Sequence, residues 1–193
     1  MEVGEEVVMA DLKLNRPKAT EYAPYYDKYV SLVADSSNIL ESLDRQLDET
    51  LALLGRIPEE RADFRYAPGK WSIKELVGHI IDAERIFSYR ALRFARNDKT
   101  PLEGFEQDDY IRGASFDDYR LADLASEFAH VRRATLSLFK HLNEEAWGRT
   151  GIASDNQVSV RALAYMIAGH ELHHMEILRS RYMPPGVGQQ ASA

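Results

Sequence analysis

The stretch SVRALAYMIAGHELHHMEIL, residues 159–178, decides how the rest of the chain is read. Leu163, Ile167, His170, His174, Ile177 and Leu178 recur three or four apart, the spacing that lines one face of an α-helix. Ser159 stands where an N-cap belongs, and Pro184 marks a limit beyond which the helix cannot run. Two positions of the apolar stripe are histidines, at i and i+4. Such residues face the same way one turn apart, so His170 and His174 can bind one ion.

Three more segments carry the same period. The first has Leu40, Leu43, Leu47, Leu51 and Leu54 and stops before Gly55 and Pro58. A second opens at Ser72 with Glu75 three residues on, a capping-box pattern. It continues through Leu76, His79, Ile80, Ala83, Phe87 and Arg90 and is expected to end near Asn97 and Pro101. A third is expected to start at Ser115, with Asp118 three later, to run through Leu121, Leu124, Phe128, Val131, Thr135, Leu138 and Leu142, and to be closed by Gly148 and Gly151. Four long helices imply an all-α fold, a four-helix bundle over residues 36–183. Residues 1–35, with Tyr22, Tyr25, Tyr26 and Tyr29 around Pro24, read as a lead-in packed across it, and residues 184–193 as a disordered tail. The connections 55–71 and 98–114 are long, since antiparallel neighbours need only about 2–8 residues. The second of them is expected to cross the bundle, and both can serve as lids over a site at one end.

Composition removes several classes of function. A chain of 193 residues with 45% apolar content suits one domain with its own core. There is no cysteine, so disulfides, thiolate metal sites and a cysteine nucleophile are excluded. A net charge of −7 without a dense Lys/Arg run argues against a nucleic-acid partner. Arg90, Arg93 and Arg96 recur at helical spacing and read as a solvated face. No run approaches ~20 apolar residues, so no membrane partner is expected and a cytoplasmic location is.

Of six histidines, His79, His170 and His174 lie where helical patterns call for apolar residues. Three clustered imidazoles without a metal would need several buried partners, so a shared divalent ion with an open position is the reading they support. His130, His141 and His173 fall off the stripes and read as surface residues. Residues 170–174 also match H-E-x-x-H, the zinc-peptidase motif with Glu as general base, but no histidine follows His174 to complete such a site. Glu171 is the candidate catalytic base; its position about 100° around the helix from His170 favours an exposed salt bridge instead. Asp82, one turn after His79, is the candidate to orient an imidazole from behind. Trp71 and Trp147 stand at helix boundaries, where structural anchoring is the expected role.

The motifs Lys70-Trp71-Ser72-Ile73-Lys74-Glu75-Leu76 leading to His79, Asp82-Ala83-Glu84-Arg85, and Gly169-His170-Glu171-Leu172-His173-His174 resemble the DinB/YfiT-like metal-binding four-helix bundles over roughly residues 40–182. The loop 104–110 looks like that family's inter-helix segment. The resemblance implies zinc or nickel on His79, His170 and His174 and a bundle often paired as a homodimer. It also implies a small-molecule substrate, with a low-molecular-weight thiol as cosubstrate in some relatives. The expected function is a metal-dependent enzyme of thiol-dependent transferase or hydrolase type. The alternatives are a stress-associated metal-binding protein without efficient turnover and, behind it, an H-E-x-x-H peptidase. For a dimer face the candidates are Ile86, Leu92 and Phe94, which fall off the His79 stripe.

Overall fold

The computed structural model describes residues 16–34 and 38–183. Residues 1–15 and 35 of the expected lead-in 1–35, and the expected tail 184–193, lie outside the described residues. Among the described residues seven α-helices follow one another: α1 Asp27–Val30, α2 Ile39–Leu54, α3 Ile73–Ala95, α4 Gln107–Gly113, α5 Leu121–Lys140, α6 Glu144–Gly148 and α7 Val160–Ile177. A short antiparallel hairpin, β1 Thr150–Ala153 and β2 Asn156–Ser159, joins α6 to α7.

The four long helices α2, α3, α5 and α7 form the bundle. Helix α3 packs on both α7 and α5, and α2 packs on both α5 and α7, giving the cyclic order α2, α5, α3, α7. Consecutive α2 and α3 therefore stand diagonally opposed, as do α5 and α7. The crossings are made by 55–72 and by 141–159. The connection 98–114, expected to cross, instead joins the neighbours α3 and α5 and spends its length on α4. The apolar stripes meet inside: Leu43, Phe94, Phe139, Leu163, Leu124 and Leu178 are fully enclosed. Burying each such side chain is worth about 1.5–3 kcal/mol.

Local chemistry fixes the ends of the two site-bearing helices as read from sequence. Ser72 accepts from the Glu75 N–H at 3.1 Å while Glu75 accepts from the Ser72 N–H at 2.6 Å, a complete capping box at the start of α3. Ser159 accepts from the Ala162 N–H at 2.9 Å and starts α7. Helix α5 differs from expectation. Ser115 opens only a 3-10 turn over Phe116–Asp118, and α5 begins at Leu121, whose N–H is taken by the Glu59 carboxylate of the first connection at 2.9 Å. A cap supplied from 62 residues away has no local signature. The helix also ends at Lys140, not at Gly148.

Two residues assigned to the surface are inside. Arg90 is 3% exposed, and its guanidinium donates to the Glu103 carbonyl at 2.8 Å and to Ser154 Oγ at 3.1 Å. Phe94, a dimer candidate, is buried against Gly151, where any Cβ would come within 2.1 Å of the ring. Leu92 remains exposed and Ile86 half-buried.

Candidate metal centre

His79 projects from α3, and His170 and His174 project from successive turns of α7, the helix packed beside it. The Nε2 atoms of His79 and His170 are 3.0 Å apart, and those of His174 and His170 are 3.1 Å apart. One ring nitrogen from each of the three lies within 4.8 Å of the others. Two nitrogens each ~2.0–2.1 Å from one tetrahedral ion lie roughly 3–3.5 Å apart, so the spacing fits a shared metal.

The electrostatics suit ligands. Burial pushes His79 down to about 4, an effect partly offset by the charge of Asp108. Burial, then the neighbouring His79, pushes His174 down to about 2, and His170 is held well below the ordinary histidine value by burial and by the other two rings. All three imidazoles are neutral at neutral pH, with lone pairs free to bind a cation. His174 Nδ1 is buried and finds no hydrogen-bond partner among the described residues.

Aromatic rings frame the cluster. Trp71, from the first connection, lies 4.7 Å from the His79 ring and 6.4 Å from that of His174, nearly parallel to the latter. It is positioned by Tyr182, whose hydroxyl donates to the Trp71 carbonyl at 2.7 Å. Trp71 thus touches the site, whereas Trp147 is the structural anchor expected of both, stacked on Phe139 in the core. Tyr29 meets His170 and His173 edge-on, so His173 is half-buried where a surface residue was expected. His130 and His141 are exposed, as read.

Two clefts reach the histidines. One, of about 270 Å³, is lined by His79 and His170 together with Phe87, Phe105 and tyrosines of residues 25–29. The other, of about 320 Å³, is lined by His174, Trp71, Tyr66, Lys70, Asp108 and Tyr182. Gln107 borders both. The two long connections do border the site: 55–71 lines one cleft, and 98–114 reaches both.

Glu171 is not the exposed salt bridge expected. It is 1% exposed; one carboxylate oxygen accepts from Thr50 at 2.6 Å and the other from Arg132 at 2.7 Å. Arg132, fully buried on α5, also forks onto Glu84 of α3 at 2.9 and 2.8 Å and donates to the Leu43 carbonyl of α2 at 3.0 Å. Sequence reading missed this four-helix ionic cluster. Asp82 pairs with Arg85 at 3.8 Å, and burial pushes its carboxyl up.

A family model, the DinB superfamily, matches residues 42–178, which contain all three histidines and the bundle helices apart from the first three residues of α2. The chain belongs to the DinB superfamily. A curated protein of Oceanobacillus iheyensis, "Putative metal-dependent hydrolase OB0413", is 28% identical over 140 residues, 70% of this chain and 77% of that protein. Among solved structures, YfiT from Bacillus subtilis, "a probable metal-dependent hydrolase with an unusual four-helix bundle topology", superposes with a TM-score of 0.62 at 14% identity, covering 84% of this chain and 91% of that one. A mycothiol-dependent maleylpyruvate isomerase superposes with a TM-score of 0.59 at 13% identity, over 71% of this chain and 58% of that one. At these identities the superpositions speak for the shared fold. Within the superfamily this chain keeps its histidine cluster inside the matched span, while residues 16–34 lie before it.

Proposed function

We propose that this DinB-superfamily protein is a metal-dependent enzyme that holds zinc or nickel on His79, His170 and His174. Its reaction is of the thiol-dependent transferase or hydrolase type, on a small-molecule substrate. The observation that carries the reading is the convergence of three neutral, buried Nε2 atoms at the junction of two clefts. The names of the curated relative and of YfiT support a metal-dependent hydrolase, and the isomerase neighbour supports a thiol.

A divalent ion supplies Lewis acidity and lowers the pKa of a thiol or water, the nucleophile that a chain without cysteine lacks. The protein's own groups do the rest. The imidazoles bring no negative charge, so the site favours an anionic partner. Trp71 covers His79 and His174 and limits the approach of water from its side. Asp108, close enough to act on His79, and Lys70 give the cleft beside His174 polar handles for a hydrophilic thiol. Glu171 is assigned to the scaffold, because Thr50 and Arg132 occupy both of its oxygens. A cytoplasmic homodimer completes the proposal; exposed Leu92 and half-buried Ile86 are the remaining candidates for its face.

The test is a conjugation and hydrolysis screen with low-molecular-weight thiols on purified protein, with and without chelator. Activity that a chelator removes, that zinc or nickel restores, and that a folded His174→Ala variant lacks is the expected result. Metal-loaded protein inactive with every thiol and ester offered would favour a metal-binding protein without turnover.

A further inference from the structure

The cleft beside His79 and His170 has a wall that the family match does not include. Residues 16–34 precede the matched span, 42–178, yet Tyr25, Tyr26 and Tyr29 line this cleft opposite the bundle and loop residues Phe87 and Phe105. The rings are arranged for one another: Tyr25 meets Tyr26 edge-on at 5.2 Å, and Tyr26 meets Phe87 edge-on at 6.2 Å.

The wall is fixed, not loosely draped. The Tyr29 carbonyl lies so close to Gly169 that a Cβ there would be 2.0 Å from the oxygen, which only glycine tolerates. Glu21 accepts from Ser159 at 2.7 Å and from Arg161 at 2.6 Å, at the start of α7. Val30 and Val33 are 1% and 2% exposed. Opposite, buried Arg90 holds the Glu103 carbonyl, two residues before Phe105. Five aromatic side chains held from both sides leave about 270 Å³, less than a drug-sized ligand needs.

We propose that this cleft takes a small, planar aromatic or conjugated anion. Its flat body packs among Tyr25, Tyr26, Phe87 and Phe105, and its charged end turns toward His79 and His170. The tyrosines of residues 25–29 then set substrate choice in a way the matched span alone does not. Flatness follows from the wall, because ring edges and faces reward a π-system over an aliphatic body of equal size. The anionic end rests on the proposed metal. Lys28, whose ammonium lies 3.8 Å from the Tyr25 ring centre, adds positive charge beside the same rings, and Glu106 is the one carboxylate among the cleft's lining residues. The polar cleft on the other side of the cluster is left to the thiol.

The experiment titrates cobalt-loaded full-length protein with benzoate, cyclohexanecarboxylate and acetate, following the visible bands of the ion. Benzoate should bind about tenfold tighter than acetate and about threefold tighter than cyclohexanecarboxylate. Tyr26→Leu should erase the preference for benzoate over cyclohexanecarboxylate while leaving cobalt uptake and acetate binding unchanged, and Tyr26→Phe should keep it. Equal binding of the two cyclic acids to wild type, or an unaltered preference in Tyr26→Leu, overturns the proposal. Should the protein take up neither cobalt nor zinc nor nickel, the metal reading fails by itself. The cleft is then read by saturation-transfer NMR with the same acids, where a benzoate preference lost in Tyr26→Leu supports it and its absence overturns it.

Discussion

Two clusters of buried polar side chains lie next to each other along the same helices, His79 with Glu84 on α3 and His170 with Glu171 on α7, and they are finished in opposite ways. Around Arg132 every partner is internal. Its Nε and both terminal nitrogens donate to Glu84, Glu171 and the Leu43 carbonyl, and Thr50 completes Glu171. The three histidines turn their Nε2 atoms on one point, where in the tautomer protonated at Nδ1 their lone pairs converge, and two clefts open beside them. A buried network that satisfies itself holds helices in register; a buried set of converging lone pairs has a use only for something that arrives from outside.

The sharpest way to break this contrast is Arg132→Met. Two carboxylates would stay buried without their cation, and the fold should lose about 3–5 kcal/mol in urea denaturation. Replacing Arg132, Glu84 and Glu171 together by apolar residues should recover most of that loss. A single substitution that costs under ~1 kcal/mol would show that the cluster does not hold the bundle.

The histidine side is read by pH. In metal-free protein His79 titrates at about 4 when folded, against roughly 6.5 when unfolded. The folded value is depressed, so the stability tied to the neutral ring is present above pH ~6.5 and lost as pH falls toward 4, on the order of 3 kcal/mol for this ring. Added zinc or nickel should move the loss to lower pH, and a pH-independent midpoint between 7 and 4.5 would contradict neutral, buried rings.

Much of the frame was legible in the sequence, for physical reasons. The caps at Ser72 and Ser159 act within three residues, and the i, i+4 histidines act within one turn, so local pattern carries them. The start of α5 depends on Glu59, and a contact that distant leaves no trace at Leu121. The hairpin at 150–159 has strands of four residues and turns on Ser154 and Asp155, both at positive φ, too short a pattern to compete with the glycines that seemed to end a helix. The ionic cluster did leave a signal. Glu84 follows Ile80 by four, Arg132 follows Phe128 by four, and Glu171 lies four from both Ile167 and Met175, so all three stand on apolar stripes, but a charged residue reads as surface by default. The three histidines stood on their stripes in the same way.

Smaller changes sharpen the division. Glu171→Gln keeps a hydrogen-bonding group toward Thr50 and Arg132 and should cost about 1–2 kcal/mol, with metal affinity changed less than threefold. A fall of ~100-fold or more in turnover with metal retained would restore Glu171 as the general base. Asp82→Asn tests the least. Its carboxylate pairs with Arg85, so metal affinity should shift by less than about threefold; a loss of 10–100-fold would mean that Asp82 orients His79 after all.

The central claim is that His79, His170 and His174 together hold one ion. Equilibrium dialysis against zinc and against nickel, followed by elemental analysis, reads it directly in wild type, in each single alanine variant of the three, and in His141→Ala as the exposed control. One tightly held divalent ion per chain is expected in wild type and in His141→Ala, with loss of tight binding in each of the other three while circular dichroism shows the bundle still folded. Wild-type protein with no stoichiometric metal, or a His170→Ala variant that binds as tightly as wild type, would contradict it.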